Sequence, residues 1–105
     1  MSNSLSVVII AQNEEKFIQD AIKSAQFADE VLLLDSGSID KTCEIAKKMG
    51  VRVENQVWLG FGAQKNRAVD LASNDWVFVL DSDERISYKL QLEIIATLNN
   101  PSCDG

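Results

Sequence analysis

The sequence predicts an α/β fold, an open parallel sheet built from four consecutive strand–helix units. Two observations predict it. Short apolar runs rich in Val, Ile and Leu recur four times, and each run is followed by a segment with helical spacing of its apolar residues. Strands that alternate with helices form parallel sheets with right-handed crossovers. With 105 residues, the chain has room for one such domain, which we assign to residues 1–105.

The first unit has a β-branched strand over residues 4–10, of the kind that is buried on both faces. We expect Asn13 to be the N-cap of the next helix, with Glu14 and Glu15 in its first turn, where the helix dipole favours acidic side chains. One apolar stripe runs along this helix, formed by Phe17, Ile18, Ala21, Ile22 and Ala25.

In the second unit, residues 31–34 form a buried strand that ends at Asp35. Residues 36–40 form a turn, and Asp40 is expected to cap a helix that continues to Met49. Gly50 follows at the position where glycine usually ends a helix.

The third strand is predicted over residues 51–54, where alternation indicates one wetter face or an edge position. A loop over 58–62 leads to a helix over about 63–72, with Ala68, Val69 and Ala72 facing inward. The fourth strand spans 76–80, and the last helix runs from about 88 to 99 and is ended by Pro101. That helix carries the apolar residues Leu90, Ile94, Ile95 and Leu98.

The charge balance excludes several partners. Ten basic and sixteen acidic residues give a formal charge of −6, so nucleic acid and anionic membrane surfaces are not expected partners. No apolar stretch approaches the roughly 20 residues that span a bilayer. The N-terminus has no cationic region and no cleavage site of small residues, so we expect no signal peptide and a cytoplasmic location.

The residue types also limit the chemistry. The chain has no histidine, which excludes zinc sites built on His and both Cys-His and Ser-His-Asp catalysis within it. Its two cysteines, Cys43 and Cys103, lie far apart in sequence and are expected to be free thiols. Carboxylates, amides, Lys and Arg remain as candidate functional groups.

Three predicted strands end in polar or small residues, at positions 11–14, 35–40 and 81–84. The carboxyl ends of parallel strands share one edge of the sheet, where ligands bind in open α/β folds. Crowded carboxylates repel one another, and a hard divalent cation such as Mg²⁺ or Mn²⁺ relieves this repulsion. Asp81 and Asp83, two residues apart after the fourth strand, are the candidate metal ligands. Substrate phosphates would then complete the coordination shell.

Each of these residues also has a simpler structural interpretation. Acidic residues after strands often form turns or cap helices, and the run after Asp35 fits a tight turn that needs Gly37. Residues 64–67 fit a solvated helix start, Trp58 and Phe61 fit loop-packing aromatics, and Cys43 fits a helix-packing residue. The ordered set of motifs, rather than any single one, indicates function.

Four segments of the chain form an ordered set of motifs: VVIIAQNEE (7–15), VLLLDSGSIDKT (31–42), GFGAQKN (60–66) and DWVFVLDSDE (75–84). This set resembles the N-terminal part of the family-2 inverting glycosyltransferases, which have a GT-A fold. The sequence is most similar to those of bacterial enzymes that add sugars to the lipopolysaccharide core, and the similarity runs from residue 5 to about 87. The resemblance implies the Rossmann-like nucleotide-binding half of a GT-A fold.

The resemblance also implies site residues. The segment from Ala11 through Asn13 to Glu14 would line the nucleotide pocket, with Glu14 reaching the base or ribose. Asp35 would take the uracil or ribose of a UDP-sugar, and Ser36, Gly37 and Ser38 would shape that wall. Lys65 would lie near the nucleotide or its phosphates. Asp81 and Asp83 would form the DxD motif, with Asp81 near the ribose and Asp83 at the metal on the diphosphate, where the metal stabilises the leaving group.

In one respect the chain departs from the family, whose members are usually more than twice as long. Their acceptor site and acidic catalytic base lie after the segment seen here, so the catalytic residue of this chain is unknown. We expect a domain that binds the sugar donor of an enzyme, and that enzyme would transfer the sugar to a cell-envelope glycan or lipid-linked acceptor. It would act in the cytoplasm or at the inner face of the membrane. By itself, the chain should bind nucleotide and transfer sugar poorly or not at all. A non-catalytic nucleotide-binding or assembly fragment of the same fold is the alternative.

Truncation has a further expected consequence. The fourth strand would lie at an exposed sheet edge, which favours pairing with a second copy, so a homodimer is expected.

Two other classes of protein fit the sequence poorly. A receiver domain needs paired acids after its first strand, where this chain has Ala11-Gln12-Asn13, and a dinucleotide-binding domain needs G-x-G-x-x-G there.

Overall fold

The computed structural model describes residues 4–99 as four strands and four helices that alternate along the chain. The strands have the parallel α/β arrangement that the sequence predicts. Each strand–helix unit falls within a few residues of its predicted place. The elements are β1 (Leu5–Ala11), α1 (Ile18–Ala25), β2 (Glu30–Asp35), α2 (Thr42–Lys48), β3 (Arg52–Asn55), α3 (Phe61–Leu71), β4 (Trp76–Asp81) and α4 (Tyr88–Asn99).

All strand pairs of the sheet are parallel, and the strand order is β3-β2-β1-β4. The register sets Ala11 of β1 opposite Asp35 of β2, and Ile10 of β1 opposite Asp81 of β4. The strand order therefore reverses direction between β1 and β4, which is where ligands bind in open α/β sheets. The carboxyl ends of three strands meet there.

The two faces of the sheet form separate apolar clusters, because alternate residues of β1 point to opposite sides. Val7 and Ile9 pack with α1, α2 and α4 on one face. Val8 packs with Leu32, Leu34 and Ala68 on the other face, which α3 covers. The result is a three-layer domain whose loops are left free to form a site at the carboxyl edge.

Helix α1 begins later than the sequence predicts. It starts at Ile18 and has Phe17 as its N-cap, so Asn13 is not the cap and Glu14 lies before the helix. Asn13 instead adopts a left-handed backbone with φ of 55°, which asparagine tolerates better than most residues. Phe17 was predicted to be on the buried stripe but is 52% exposed, because it lies at the end of the helix rather than within it.

The other helices agree with the prediction more closely. Gly50 follows α2 with φ of +81°, a conformation that favours glycine at a helix end. Val69, which is predicted to face inward, is 50% exposed. Ile95, which the sequence groups with the apolar residues of α4, is 39% exposed. Ser87 Oγ caps α4 by accepting a hydrogen bond from the N–H of Leu90 at 3.1 Å. Pro101 and Cys103 lie outside the described residues.

Strands β3 and β4 are the two edges of the sheet described for residues 4–99. At the β3 edge, Arg52 pairs with Glu54 at 3.0 Å and Glu30 at 3.3 Å. The β4 edge borders an apolar groove under α4, and the predicted self-association through this edge stays a prediction. The groove is lined by Leu5, Trp76, Val77, Phe78, Leu90, Glu93, Ile94, Thr97 and Leu98.

Candidate functional site

A groove opens at the carboxyl ends of β1 and β4. Its volume of about 380 Å³ falls within the roughly 300–1,000 Å³ of small-molecule sites. Among the predicted site residues, the structure brings Ala11, Glu14, Asp81 and Asp83 together here. The other lining residues are Ile10, Gln12, Ser36, Trp58, Phe61 and Ser82.

The loops after β1 and β2 are tied together by reciprocal hydrogen bonds. The N–H of Asn13 donates to Ser38 Oγ at 2.8 Å, and Asn13 Oδ1 accepts from the N–H of Ile39 at 2.8 Å. The N–H of Glu14 donates to Thr42 Oγ1 at 2.9 Å. These bonds hold Glu14 at the rim of the groove, and Asn13 acts by positioning the loop rather than by capping a helix.

Asp35 builds the turn that follows β2. It is 1% exposed, and its Oδ2 accepts hydrogen bonds from the N–H groups of Gly37 at 3.0 Å and Ser38 at 2.8 Å. Its Oδ1 accepts a third bond from the Ser38 hydroxyl. Gly37 has φ of +95°, a conformation that residues with a Cβ rarely adopt. In this conformation the Asp35 carboxylate stabilises the turn, as the simpler interpretation of the sequence held.

A second hollow adjoins the groove and shares Ser36 with it. Asp35 and Gly37 line this hollow on the β2 side. Ser36 is the one lining residue that the two hollows have in common, and the second hollow lies at the carboxyl end of β2. The remaining lining residues are Asn55, Gln56 and Val57.

Asp40 acts at the start of α2. It lies one residue before the N-cap, Lys41, and its Oδ1 accepts hydrogen bonds from the N–H and hydroxyl of Thr42. Its Oδ2 accepts from the N–H of Glu15 at 3.2 Å. The hydrogen bond from the Thr42 hydroxyl is the largest influence on Asp40 and lowers the pKa of its carboxyl. The sequence predicts Asp40 as the cap of this helix; the structure makes it a structural carboxylate one residue before the N-cap position.

Asp81 and Asp83 are exposed at the end of β4. Between them, Ser82 is 6% exposed and its N–H donates to the carbonyl of Ile10 at 3.2 Å, which fixes the segment against β1. Neither carboxylate has a side-chain hydrogen bond or ion pair with residues 4–99. Both therefore remain available to a ligand at the rim of the groove.

The donor set fits a hard divalent cation that shares its shell with phosphates. Within the described part of the chain, no group of three or more His, Cys, Asp or Glu side chains could hold a metal alone. Mg²⁺ is usually bound by one or two carboxylates plus substrate phosphates, and Asp81 and Asp83 supply such a pair. The two carboxylates therefore suit an ion whose remaining coordination positions are filled by other ligands.

Trp58 and Phe61 form an aromatic wall of the groove, a role that the sequence did not distinguish from loop packing. Their rings contact edge to face, with centroids 5.1 Å apart and planes at 89°. The side chains remain 45% and 73% exposed. Exposed aromatic rings at a groove provide surfaces for stacking on flat or apolar ligand rings.

Gln64 was missed by the sequence interpretation, which took residues 64–67 as a solvated helix start. It is fully buried, and its amide bonds to the N–H of Leu59 at 3.1 Å and to Ser36 Oγ at 3.1 Å. One signal could have found it, because Gln64 precedes the buried Ala68 by four residues and shares its helix face. Lys65 is exposed and lines neither hollow, so its predicted role at the phosphates stays a prediction.

The thiol of Cys43 is unsuited to nucleophilic chemistry. Burial and the nearby charge of Asp35 raise its pKa to about 11, so it stays protonated near neutral pH. Cys43 is free and half-buried, which agrees with the predicted packing role.

Comparison with known families decides the relationship of this chain. The family described as Glycosyl transferase family 2 matches residues 6–105, nearly the entire sequence. The chain belongs to glycosyl transferase family 2. The family predicted from the strand-end motifs is thus confirmed, and so is the GT-A type of fold, since GT-A glycosyltransferases are its structural neighbours.

Two relatives show the range of names attached to similar sequences. A protein of Rickettsia bellii named as an uncharacterized glycosyltransferase is 42% identical over 95 residues, which is 90% of this chain and 32% of that protein. The lipopolysaccharide core biosynthesis glycosyltransferase LpsC of Rhizobium meliloti is 33% identical over 92 residues, 83% of this chain and 34% of that protein. This family 2 domain therefore spans about a third of the length of these relatives.

A solved structure with bound nucleotide is also similar. Glucosyl-3-phosphoglycerate synthase from Mycobacterium tuberculosis in complex with UDP matches with a TM-score of 0.75 and 31% identity, covering 97% of this chain and 40% of that one. The same enzyme has been solved with Mn²⁺, UDP and glucosyl-3-phosphoglycerate. In the described part of this family 2 domain, no helix is long and apolar enough to cross a membrane.

Proposed function

We propose that this family 2 domain binds the donor of a glycosyltransferase, a nucleoside-diphosphate sugar, in the groove between β1 and β4. The observation that carries the proposal is the convergence of Ala11, Glu14, Asp81 and Asp83 on one groove at the carboxyl edge of a parallel sheet. That is the position at which open α/β sheets bind nucleotides. The similar mycobacterial synthase with bound UDP supports a uridine nucleotide.

Asp83 and Asp81 are the proposed metal ligands. The formal charge of the chain is −6, and two exposed carboxylates at the rim repel a diphosphate unless a cation lies between them. Bound Mg²⁺ or Mn²⁺ would stabilise the negative charge that builds on the departing nucleoside diphosphate. The Mn²⁺ complex of the similar synthase supports a divalent metal, and either ion suits this donor pair.

The uridine is proposed to extend from the groove into the hollow that Asp35, Ser36 and Gly37 line. Because the Asp35 carboxylate is 1% exposed, a direct bond to uracil or ribose requires its turn to open and expose an oxygen. Glu14 at the groove rim is the other proposed contact to the base or ribose. The two hollows meet at Ser36.

The proposed acceptor is a cell-envelope glycan, and lipopolysaccharide is the form that the name of LpsC supports. No residue between 4 and 99 is proposed as the catalytic base. Because the chain spans about a third of the length of the relatives it matches, we propose that by itself it binds the donor and transfers its sugar slowly or not at all. A transfer assay with UDP-sugars and envelope glycans tests this, and turnover by the 105-residue chain would contradict it.

Calorimetric titration of UDP with and without Mn²⁺ tests the donor site. The unsubstituted chain should bind UDP only with the metal, and Asp83→Asn should weaken that binding at least tenfold, by about 1.4 kcal/mol or more. Asp83 is exposed, so this variant should keep the stability of the parent within about 0.5 kcal/mol.

Glu84→Gln is the matched control. Glu84 is also exposed and follows the DxD pair directly, yet it does not line the groove. The substitution removes the same charge as Asp83→Asn and should keep metal-dependent binding within about twofold of the parent, because the side chain it changes lies outside the groove lining. A folded parent chain that binds no UDP in the presence of Mn²⁺ would overturn the proposal.

A further inference from the structure

Gln64 is a buried amide that bonds to the loop after β2 and to the loop before α3. Its side chain is fully buried, although it lies in the first turn of α3 where the sequence suggests a solvated surface. Both ends of the amide are bonded. Oε1 accepts from the N–H of Leu59, and Nε2 donates to Ser36 Oγ, each at 3.1 Å. Burying an amide is unfavourable without such partners, so the two bonds fix its orientation.

The two partners of Gln64 belong to different loops, and each loop contributes a residue to the groove lining. Ser36 lines the groove on the β2 side, while Leu59 adjoins Trp58 on the aromatic side. Gln64 itself does not line the groove. It therefore cannot serve as a direct ligand contact in this conformation, but it can set the separation of Ser36 and Trp58.

Other contacts of the loop before α3 hold mainly its first residue. The N–H of Gln56 donates to the carbonyl of Asp35 at 2.8 Å, and Gln56 Oε1 accepts from Arg67 at 3.1 Å. Further along, the side chains of Trp58 and Leu59 are 45% and 50% exposed. This second half is restrained by the contact between the Trp58 and Phe61 rings and by the bond from the Leu59 N–H to Gln64, and only the second of these fixes its backbone.

We propose that Gln64 is a positioning residue that holds Trp58 at the distance from Ser36 at which the Trp58 ring stacks on the bound donor. This inference rests on the proposed function, because it deepens the same site. A stacked ring contributes on the order of 1–3 kcal/mol to the binding of a nucleobase. That contribution depends on the position of the ring, and Gln64 fixes the loop that carries it.

Two variants separate positioning from general stability. Gln64→Met keeps the length and volume of the side chain and removes both hydrogen bonds. Gln91→Met is the matched control, because Gln91 is a partly buried amide that also makes two bonds, to the carbonyls of Ser24 at 2.9 Å and Ile86 at 3.2 Å. It lies on α4, away from the groove.

Trp58 supplies a readout that needs no ligand. The chain has two tryptophans, so Trp76→Phe leaves Trp58 as the single reporter. In that background, Gln64→Met should raise the quenching of Trp58 by acrylamide toward that of the urea-unfolded chain and shift its emission. Gln91→Met should leave both signals unchanged. A Gln64→Met protein with unchanged quenching would overturn the proposal.

Nucleotide affinity is the second readout. With Mn²⁺ present, Gln64→Met should bind UDP about tenfold more weakly, the loss expected for one displaced stacking ring, while Gln91→Met stays within about twofold. Equal affinity in Gln64→Met and the parent would also overturn the proposal. If the parent does not bind UDP, the proposed function fails by itself, and the quenching of Trp58 still decides whether Gln64 positions the loop.

Ser36→Ala covers the case in which Gln64→Met does not fold. It removes only the bond on the β2 side and keeps Gln64 in place. Because the Gln64 amide then loses one of its two anchors, the quenching of Trp58 should rise to a value between the parent and the unfolded chain. A folded Ser36→Ala protein with the parent's quenching would contradict the link between the two loops.

Discussion

Asn13 Oδ1 accepts a hydrogen bond from the N–H of Ile39 at 2.8 Å, which joins the loop after β1 to the loop after β2. These loops belong to neighbouring strands and carry Glu14 and Asp35 to the same edge of the sheet. The bond therefore couples two segments of the proposed donor site. It also explains why asparagine is suited to a position with φ of 55°.

Asn13→Ala should lower the free energy of unfolding by about 1–2 kcal/mol, since it removes this bond and places alanine in a left-handed conformation. Urea denaturation measures the change. Asn13→Asp is the matched variant, because aspartate keeps an acceptor oxygen and tolerates the same backbone. Equal losses in the two variants would show that the bond to Ile39 is not what stabilises the loop.

Gly37→Ala should destabilise the domain by roughly 1–2 kcal/mol, because φ of +95° is unfavourable for any residue with a Cβ. Steric crowding would not contribute to this destabilisation, since no atom lies within 4 Å of where that Cβ would be. Thermal unfolding of Gly62→Ala gives the contrast. Gly62 is helical and equally open, so alanine there should be neutral or stabilising by up to about 1 kcal/mol. A Gly37→Ala domain as stable as Gly62→Ala would contradict the role of the turn.

The sequence predicted the strands and their shared edge well, because both follow from local patterns. A run such as residues 31–34 is apolar throughout, which is typical of a short strand covered on both faces. Parallel pairing then brings Asp35 and Asp81 to one edge wherever the side chains point. The register of β1 with both neighbours confirms that step.

The parts that could not be predicted depend on partners distant in sequence. Gln64 looks like a surface residue until Ser36, 28 residues earlier, is placed beside it. Asn13 looks like a helix cap, but its Oδ1 accepts a hydrogen bond from the N–H of Ile39, 26 residues later. Val69 was expected inward beside Ala68, but α3 buries only the face that carries Gln64 and Ala68. The spacing of apolar residues along a helix does not show how wide its buried face is, so it could not separate Val69 from Ala68.

Glu30 should make the stability of the domain depend on acid pH. Burial raises the pKa of Glu30, but hydrogen bonds from Ser73 and Ser6 and the charge of Arg52 outweigh it, so the net pKa is below 4.5. A pKa that is lower in the folded state means that the carboxylate stabilises the fold above the unfolded pKa. This stabilisation should be lost as pH falls below 4.5 toward the folded pKa.

Glu30→Gln tests this origin. It should be less stable than the parent at pH 7 and should lose less stability between pH 7 and acid pH, as measured by urea denaturation at several pH values. Glu15→Gln is the control, since Glu15 is exposed and should leave the pH profile unchanged. Parallel pH profiles for Glu30→Gln and the parent would assign the acid sensitivity to other carboxylates.

The free edge of β4 should make the chain self-associate. In residues 4–99, β4 pairs with β1 on one side only, and its apolar side chains border the groove under α4. Unpaired strand edges beside apolar surface favour pairing with another strand. Light scattering should therefore show an average mass that rises with protein concentration above the 11.6 kDa of the chain.

Thr97→Lys should reduce that association, because it places an ammonium group in the apolar groove, where a second copy would have to desolvate it. Leu92→Lys is the matched control on the same helix, since Leu92 is 49% exposed and does not line the groove. If both variants reduce the mass equally, net charge rather than the groove controls association. A parent chain that stays at the monomer mass at all concentrations would exclude the β4 edge as an interface between copies.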